Sequence, residues 1–264
     1  MSIINSILAT IRFEMSRILT PQRLGVAVIM ALFPPAMIFI LEQGAQLQSP
    51  EFVVSVLCGM VCLLSLLLWA TSNVYSELEG RNWTFVTTRP YGRWSILFGK
   101  FLISFIWSFL ISWVAVTICI LLLHPDQFEV GGSRLKIWFV LTVMLFLASM
   151  VYSAIFSLLG VIIQRRAMVF AVGYFVGVEL IFATVPAIIG KFSMSYHMFC
   201  LLVQWLGWLF PEEFLNSDEF LTAWGIHPPW IHLTAIFTMT FFSLAVAAVV
   251  VRNREYITLE DAQV

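Results

Sequence analysis

Glu179 is the residue with the most unusual surroundings in this sequence. It stands between Gly177 and Leu180 inside an apolar run, where a charged carboxylate costs on the order of 2.5–3.5 kcal/mol to insert into a bilayer. A glutamate there asks for a partner, a neutral form or a wet cavity. Two readings fit it equally: a place on a substrate or proton path, or a hydrogen bond that ties two helices together. The other reactive side chains form no known catalytic constellation. His124, His197, His227 and His232 fall outside the apolar runs or at their margins, with no HExxH spacing and no cysteine partner. Three of them lie in the same part of the chain as Glu212, Glu213 and Asp218, a set able to bind a metal, but scattered interfacial histidines are the simpler account. Cys58, Cys62, Cys119 and Cys200 sit in apolar surroundings without metal-ligand or disulfide spacing, and read as small apolar residues. Gly92 to Lys100 superficially resembles a phosphate loop. Six residues separate Gly92 from Gly99-Lys100 where that motif needs four, and Phe101 replaces its Ser or Thr. The chain therefore carries no ATPase motif of its own.

The elements that must position these residues are set by hydrophobic patterning. Of the 264 residues 61% are hydrophobic and only 11% charged, against roughly a quarter charged in soluble domains. The charges cluster between long uncharged runs. About 20 apolar helical residues cross the hydrocarbon core, and six stretches qualify: 24–41, 52–74, 101–123, 137–163, 168–189 and 231–251. With the N-terminus inside, the cytoplasmic segments hold Arg12, Arg17, Arg23, Arg81, Arg89, Arg93, Lys100, Arg165, Arg166, Arg252 and Arg254, leaving only Arg134, Lys136 and Lys191 outside. That bias fixes an orientation with both ends in the cytoplasm. The expected fold is an all-α membrane protein of six transmembrane helices, in one domain over residues 24–251 with a short cytoplasmic tail at 252–264.

Three further segments complete the expected architecture. In residues 1–23, Ile4, Ile7, Leu8, Ile11, Met15, Ile18 and Leu19 recur at helical spacing, with Asn5, Arg12, Ser16 and Arg17 on other faces, which suits an amphipathic helix in the headgroup layer or against a partner. Pro21 ends it, and Pro34 and Pro35 are expected to kink the first span. The external segment 190–230 contains the apolar run Met194 to Phe210, marginal for a span, and reads as re-entrant or interfacial helices with Trp205, Trp208 and Trp224 at headgroup level. Gly173 and Gly177, four apart, offer a small-residue face for a dimer seam or, more commonly, an internal helix contact.

The cytoplasmic segment 75–100 carries both signs of charge and exposed aromatics, a mixture suited to docking another protein. Glu77, Glu79 and Gly80 precede Arg81, Trp83, Thr84 and Phe85; a turn follows at Arg89-Pro90-Tyr91-Gly92, and Arg93 and Gly99-Lys100 lead into the third span. The pattern Glu79-Gly80, Thr84-Phe85, Arg89-Pro90, Gly92-Arg93, Gly99-Lys100 resembles the cytoplasmic loop of ABC-2 type transporter permeases. Asn82-Trp83 departs from it, standing where many members have small or polar residues. The resemblance covers essentially the whole chain: an amphipathic elbow helix, six spans, a coupling helix between the second and third, and an external hairpin between the fifth and sixth. It implies a permease subunit that pairs with a second copy or a related permease. It also implies two separate ATP-binding subunits, with ATP and Mg held by those partners and no cofactor in this chain. Membrane lipid is the remaining partner, nucleic acid is not one, and the expected location is a bacterial inner (plasma) membrane. Two other readings use the same residues: an intramembrane enzyme built on Glu179 and the outer histidines, and a scaffold that transports nothing.

Overall fold

The structure is a computed structural model that describes residues 3–44, 50–71, 92–123, 134–163, 166–182, 191–207 and 227–253. Every regular element among them is helical. Helix α1 covers Ile3–Ile18, α2 Pro21–Gly44, α3 Pro50–Trp69, α4 Gly92–Leu122 and α5 Arg134–Ile162. Helix α6, Ala167–Tyr174, runs directly into a π-helical segment, Phe175–Phe182; α7 is Met194–Trp205 and α8 is Pro229–Asn253.

Four of these helices are long and apolar enough to cross a membrane: Pro21–Leu41, Arg93–Leu122, Arg134–Ile162 and Pro229–Asn253. The expectation of a helical membrane protein holds at that level. The runs at 52–74 and 168–189 occupy two shorter apolar helices among the described residues, Val53–Trp69 and Ala167–Ile181. Large apolar side chains face outward around the bundle, including Ile29 and Ile40 on α2 and Phe241 and Phe242 on α8. In water such a collar would drive aggregation; against acyl chains it carries no penalty.

Pro21 begins α2, where its missing N–H leaves no hydrogen bond unmade, and α2 continues through Pro34 and Pro35. Arg166 adopts a left-handed backbone (φ 64°) and turns the chain sharply between α5 and α6. Helix α5 is the hub: 61% of its apolar window is buried, against 28% for α2. It packs on α3, α4, α7 and α8 around Cys58, Cys119, Tyr152, Phe156, Leu201 and Ile236. Where lipid supplies no hydrophobic drive between helices, close approach and hydrogen bonds must hold them. The sequence supplies both at four-residue spacing. Ser104, Ser108 and Ser112 form one buried row on α4, and Ser149, Ser153 and Ser157 another on α5. Ser108 bonds Ser65 and the Cys62 carbonyl across to α3, and Ser153 donates to the Phe101 carbonyl on α4. Gly160 continues the α5 row so closely that a Cβ there would meet the Thr71 carbonyl oxygen at 2.7 Å.

Candidate functional site

The structure builds two polar centres inside this apolar frame. The first is at Glu179, 1% exposed, in the π-helical segment. Its carboxylate accepts five hydrogen bonds. Oε1 receives the Tyr174 hydroxyl at 2.8 Å and the Met194 backbone N–H at 3.3 Å. Oε2 receives the Ser195 N–H at 2.7 Å, the Ser193 hydroxyl at 2.8 Å and the Tyr152 hydroxyl at 3.1 Å. The local fold explains the convergence. A π turn closes hydrogen bonds between residues five apart, so Tyr174 and Glu179 meet on one side as they would not in a regular α-helix. Ser193 is the N-cap of α7, accepting from the Tyr196 N–H while donating to Glu179. Helix α7 thus aims its first backbone donors, at the positive end of its dipole, at a buried carboxylate. Its N-terminus is let into the bundle at the depth of Glu179, and its twelve residues reach only about 18 Å.

Beside this centre lies a cavity of about 560 Å³ between α3, α5, the π segment and α7. Leu63, Leu145, Leu180 and Met198 line it, with Tyr152 and Ser195 as polar members of its wall.

Further along α7, His197 Nδ1 lies 2.9 Å from His232 Nδ1, and His197 Nε2 lies 2.9 Å from the Lys191 carbonyl. A carbonyl only accepts, so His197 carries its proton on Nε2 and accepts at Nδ1. His232 therefore faces it as the donor from Nδ1. The His227 ring lies tilted to that of His232, with ring centroids 6.3 Å apart. No group of three His, Cys, Asp or Glu able to hold a metal occurs among the described residues. Glu212, Glu213, Asp218 and His124 lie outside the described residues.

The second polar centre joins α1 to the start of α4. Lys100 Nζ lies 3.3 Å from Glu14 Oε1, and the same oxygen takes Arg17 Nη1 at 3.2 Å. Both Lys100 and Glu14 are buried. One turn along, Thr10 and Ser95 share a hydrogen bond of 2.8 Å. Gly99 lies against Thr10 so closely that a Cβ would stand 2.8 Å from both Thr10 Cβ and Cγ2. At the same end of the bundle Arg93 Nη1 donates to the Arg252 carbonyl in the last turn of α8 at 3.0 Å.

Of the residues read as coupling positions, Arg93 and Lys100 are placed; Glu77, Glu79, Gly80, Arg81, Trp83, Thr84, Phe85, Arg89 and Pro90 lie outside the described residues. Gly173 and Gly177 are placed, and among the described residues nothing lies within 4 Å of a Cβ added to either. Sequence reasoning missed Glu14, although its register held the signal: it stands seven after Ile7 and four before Ile18, a carboxylate in the apolar stripe. It also missed Tyr152 and Tyr174 as partners of Glu179, and the His197–His232 pair.

No protein-family model matches the chain, and no curated protein matches it.

Proposed function

We propose that this chain is the transmembrane permease subunit of an ATP-driven ABC-2 type exporter, moving a substrate out of the cytoplasm or inner leaflet. In this reading the chain crosses a bacterial inner membrane six times with both ends inside; the shorter helices at Val53–Trp69 and Ala167–Ile181 are its second and fifth spans. Helix α7 belongs to a re-entrant hairpin on the outer face. A second copy or a related permease completes the translocation path, and separate subunits bind ATP and Mg.

The joint at Gly99 and Lys100 carries the proposal. The segment 75–100 ends where α4 is fixed to α1 by an ion pair, a hydrogen bond and a backbone contact too close for a side chain. A push on that segment would move the elbow helix and the third span together, as force from a cytoplasmic ATPase requires. The Glu179 centre fits the same scheme as a fixed point: five donors suit a carboxylate that holds α7 in place better than one that shuttles protons or performs chemistry.

The test is a search for an ATP-binding subunit encoded beside this chain, co-purification with it, and ATP-driven transport in proteoliposomes. Glu79→Ala, Gly80→Leu and Trp83→Ala are expected to release that subunit or uncouple its hydrolysis from transport. Full transport by all three would remove the coupling assignment, and turnover of a lipid or peptide by the chain alone would favour an enzyme instead.

A further inference from the structure

The cavity of about 560 Å³ beside Glu179 has the size of a ligand site. An apolar cavity of roughly 150 Å³ already takes up benzene, and small-molecule sites run from about 300 to 1,000 Å³. It is also elongated: Leu141 and Tyr152 both line it from α5, and their separation in sequence spans about 16 Å of helix axis. Gly59 of α3 lines it too, and among the described residues nothing lies within 4 Å of a Cβ added there. The absent side chain opens space. Two lining residues are exposed, Val56 at 45% and Leu180 at 49%, so the cavity reaches the protein surface between α3 and the π segment. In a membrane that surface meets acyl chains.

Most of the wall is apolar, and its hydroxyls say what kind of head would fit. Tyr152 and Ser195 stand together in it, their oxygens 3.2 Å apart. Tyr152, 3% exposed, donates its proton to Glu179 Oε2 at 3.1 Å. The pair keeps one further proton, on Ser195 Oγ, and lone pairs on both oxygens. A ligand hydroxyl matches that set, because it both gives and takes a hydrogen bond. A ligand carboxylate would bring a second negative charge beside Glu179, where buried surroundings screen little. An ammonium fares no better, since the five donors on Glu179 already fill the roughly four lone-pair sites of a carboxylate.

We propose that this cavity binds a neutral single-chain amphiphile, its hydroxyl on Tyr152 and Ser195 and its hydrocarbon chain running toward Leu141. The ligand enters sideways from the bilayer, past Val56 and Leu180. Its chain takes the apolar wall, where burial favours any hydrocarbon, and its head supplies the selectivity. Glu179 acts here at one remove: it fixes the Tyr152 proton and so sets which way the hydroxyl pair can bond. This inference needs only the membrane setting and stands apart from the transport reading.

The experiment uses the full chain in phosphatidylcholine nanodiscs. Dodecanol, dodecanoate and dodecane, each with a diazirine at mid-chain, are added at equal mole fraction, at about pH 9 to keep the acid ionised. After illumination, mass spectrometry compares label on Met198, a buried lining residue, with label on Phe241 and Phe242, exposed on α8. On that scale the alcohol should label Met198 about tenfold more than the carboxylate and about fivefold more than the alkane. Gly59→Leu fills the space and should lower alcohol labelling about tenfold. Gly25→Leu, on α2 with equal room for a Cβ, should not change it. Ser195→Ala should bring the alcohol down to the level of the alkane. If Gly59→Leu does not fold, Ala148→Leu, from the α5 side of the wall, is read in its place. Equal labelling by alcohol and carboxylate overturns the neutral head, and equal labelling by alcohol and alkane overturns recognition of a hydroxyl. Labelling that survives the filled cavity, or falls equally in Gly25→Leu, overturns the site itself.

Discussion

Lys100 Nζ and Glu14 Oε1 meet at 3.3 Å inside the protein, pairing the residue that closes the segment 75–100 with helix α1. Removing one member of a buried ion pair costs about 3–5 kcal/mol, chiefly because it strands the other charge. The two members are not equivalent. Glu14→Gln deprives Lys100 of that carboxylate, whereas Lys100→Met leaves Glu14 with Arg17 at 3.2 Å. Glu14→Gln should therefore lower the unfolding free energy more than Lys100→Met. The double variant should fall well short of the sum of the two losses. Denaturation in detergent, analysed as a double-mutant cycle, checks this; strict additivity would mean the pair contributes nothing.

Gly99 predicts a second effect at the same joint. An added Cβ would lie 2.8 Å from the Cβ of Thr10, an atom fixed to the α1 backbone that cannot swing aside. Gly99→Ala should push α1 off α4 and stretch the Thr10–Ser95 hydrogen bond of 2.8 Å, at a cost of about 1–3 kcal/mol. Faster proteolysis of α1 in the intact protein is the expected readout. Thr10→Gly in the Gly99→Ala background should slow it again, because it removes both clashing atoms.

How much of this was legible beforehand depends on the range of the interaction. Each of the six apolar stretches overlaps a helix among the described residues, because length and apolarity are local properties. The break at Pro21 was legible for the same reason. Glu179 stood out because a carboxylate in an apolar run is locally anomalous, but its donors were hidden. Tyr152 is 27 residues away and Ser193 is 14, and only the π turn brings Tyr174 to it. The serine rows on α4 and α5 were readable by spacing, yet a serine in an apolar run does not announce which helix it faces. Glu14 shows the opposite failure: the apolar stripe of α1 drew attention to its hydrophobic members, while the acid in register with them made the contact.

The two glycine pairings separate fold from assembly. A Cβ on Gly160 would meet the Thr71 carbonyl oxygen at 2.7 Å, while among the described residues nothing lies within 4 Å of a Cβ on Gly173 or Gly177. Gly160→Ala should destabilise the protomer by about 1–3 kcal/mol. Gly173→Ala and Gly177→Ala should leave its melting temperature unchanged or slightly raised, since alanine favours helix. If the pair forms a seam between copies, the same two variants will shift purified protein from dimer to monomer in light scattering. An unchanged dimer would place the seam elsewhere.

Acid should weaken the region around α7 and the start of α8. Burial pushes the His197 imidazole below its ordinary value, against an upward pull from its bond to the Lys191 carbonyl and from the Glu179 charge. His227 and His232 are the other titratable groups beside it. A depressed value in the fold means that the unfolded chain takes the proton first. Stability should then be level above about pH 7 and fall as pH drops below about 6.5, the ordinary histidine value. Melting temperatures between pH 8 and 5 test the slope, which His197→Gln should flatten; an identical slope in the variant would assign it to other groups.

The sharpest test concerns Glu179, because the geometry of its donors leaves an amide no good arrangement. Each carboxylate oxygen accepts one backbone N–H, Met194 on Oε1 and Ser195 on Oε2. Hydroxyls such as those of Tyr152, Tyr174 and Ser193 can rotate to accept, but a backbone N–H cannot. In Glu179→Gln the side-chain NH₂ must therefore face one of the two backbone donors whichever way the amide is flipped. The less damaging choice sets it toward Met194, whose bond is 3.3 Å, and keeps the 2.7 Å bond to Ser195. One buried N–H is then left opposed, a cost of about 1–3 kcal/mol. Glu179→Ala takes the carboxylate from all five donors, of which Tyr152 keeps Ser195 Oγ at 3.2 Å, and should cost more. Hydrogen exchange supplies the local readout: Met194 and Ser195 at the start of α7 should lose protection in Glu179→Gln, while the core of α5 keeps it. Loss of protection throughout α5 would mean that Glu179 holds up the whole bundle, and unchanged protection at α7 would mean that the carboxylate does not hold that helix.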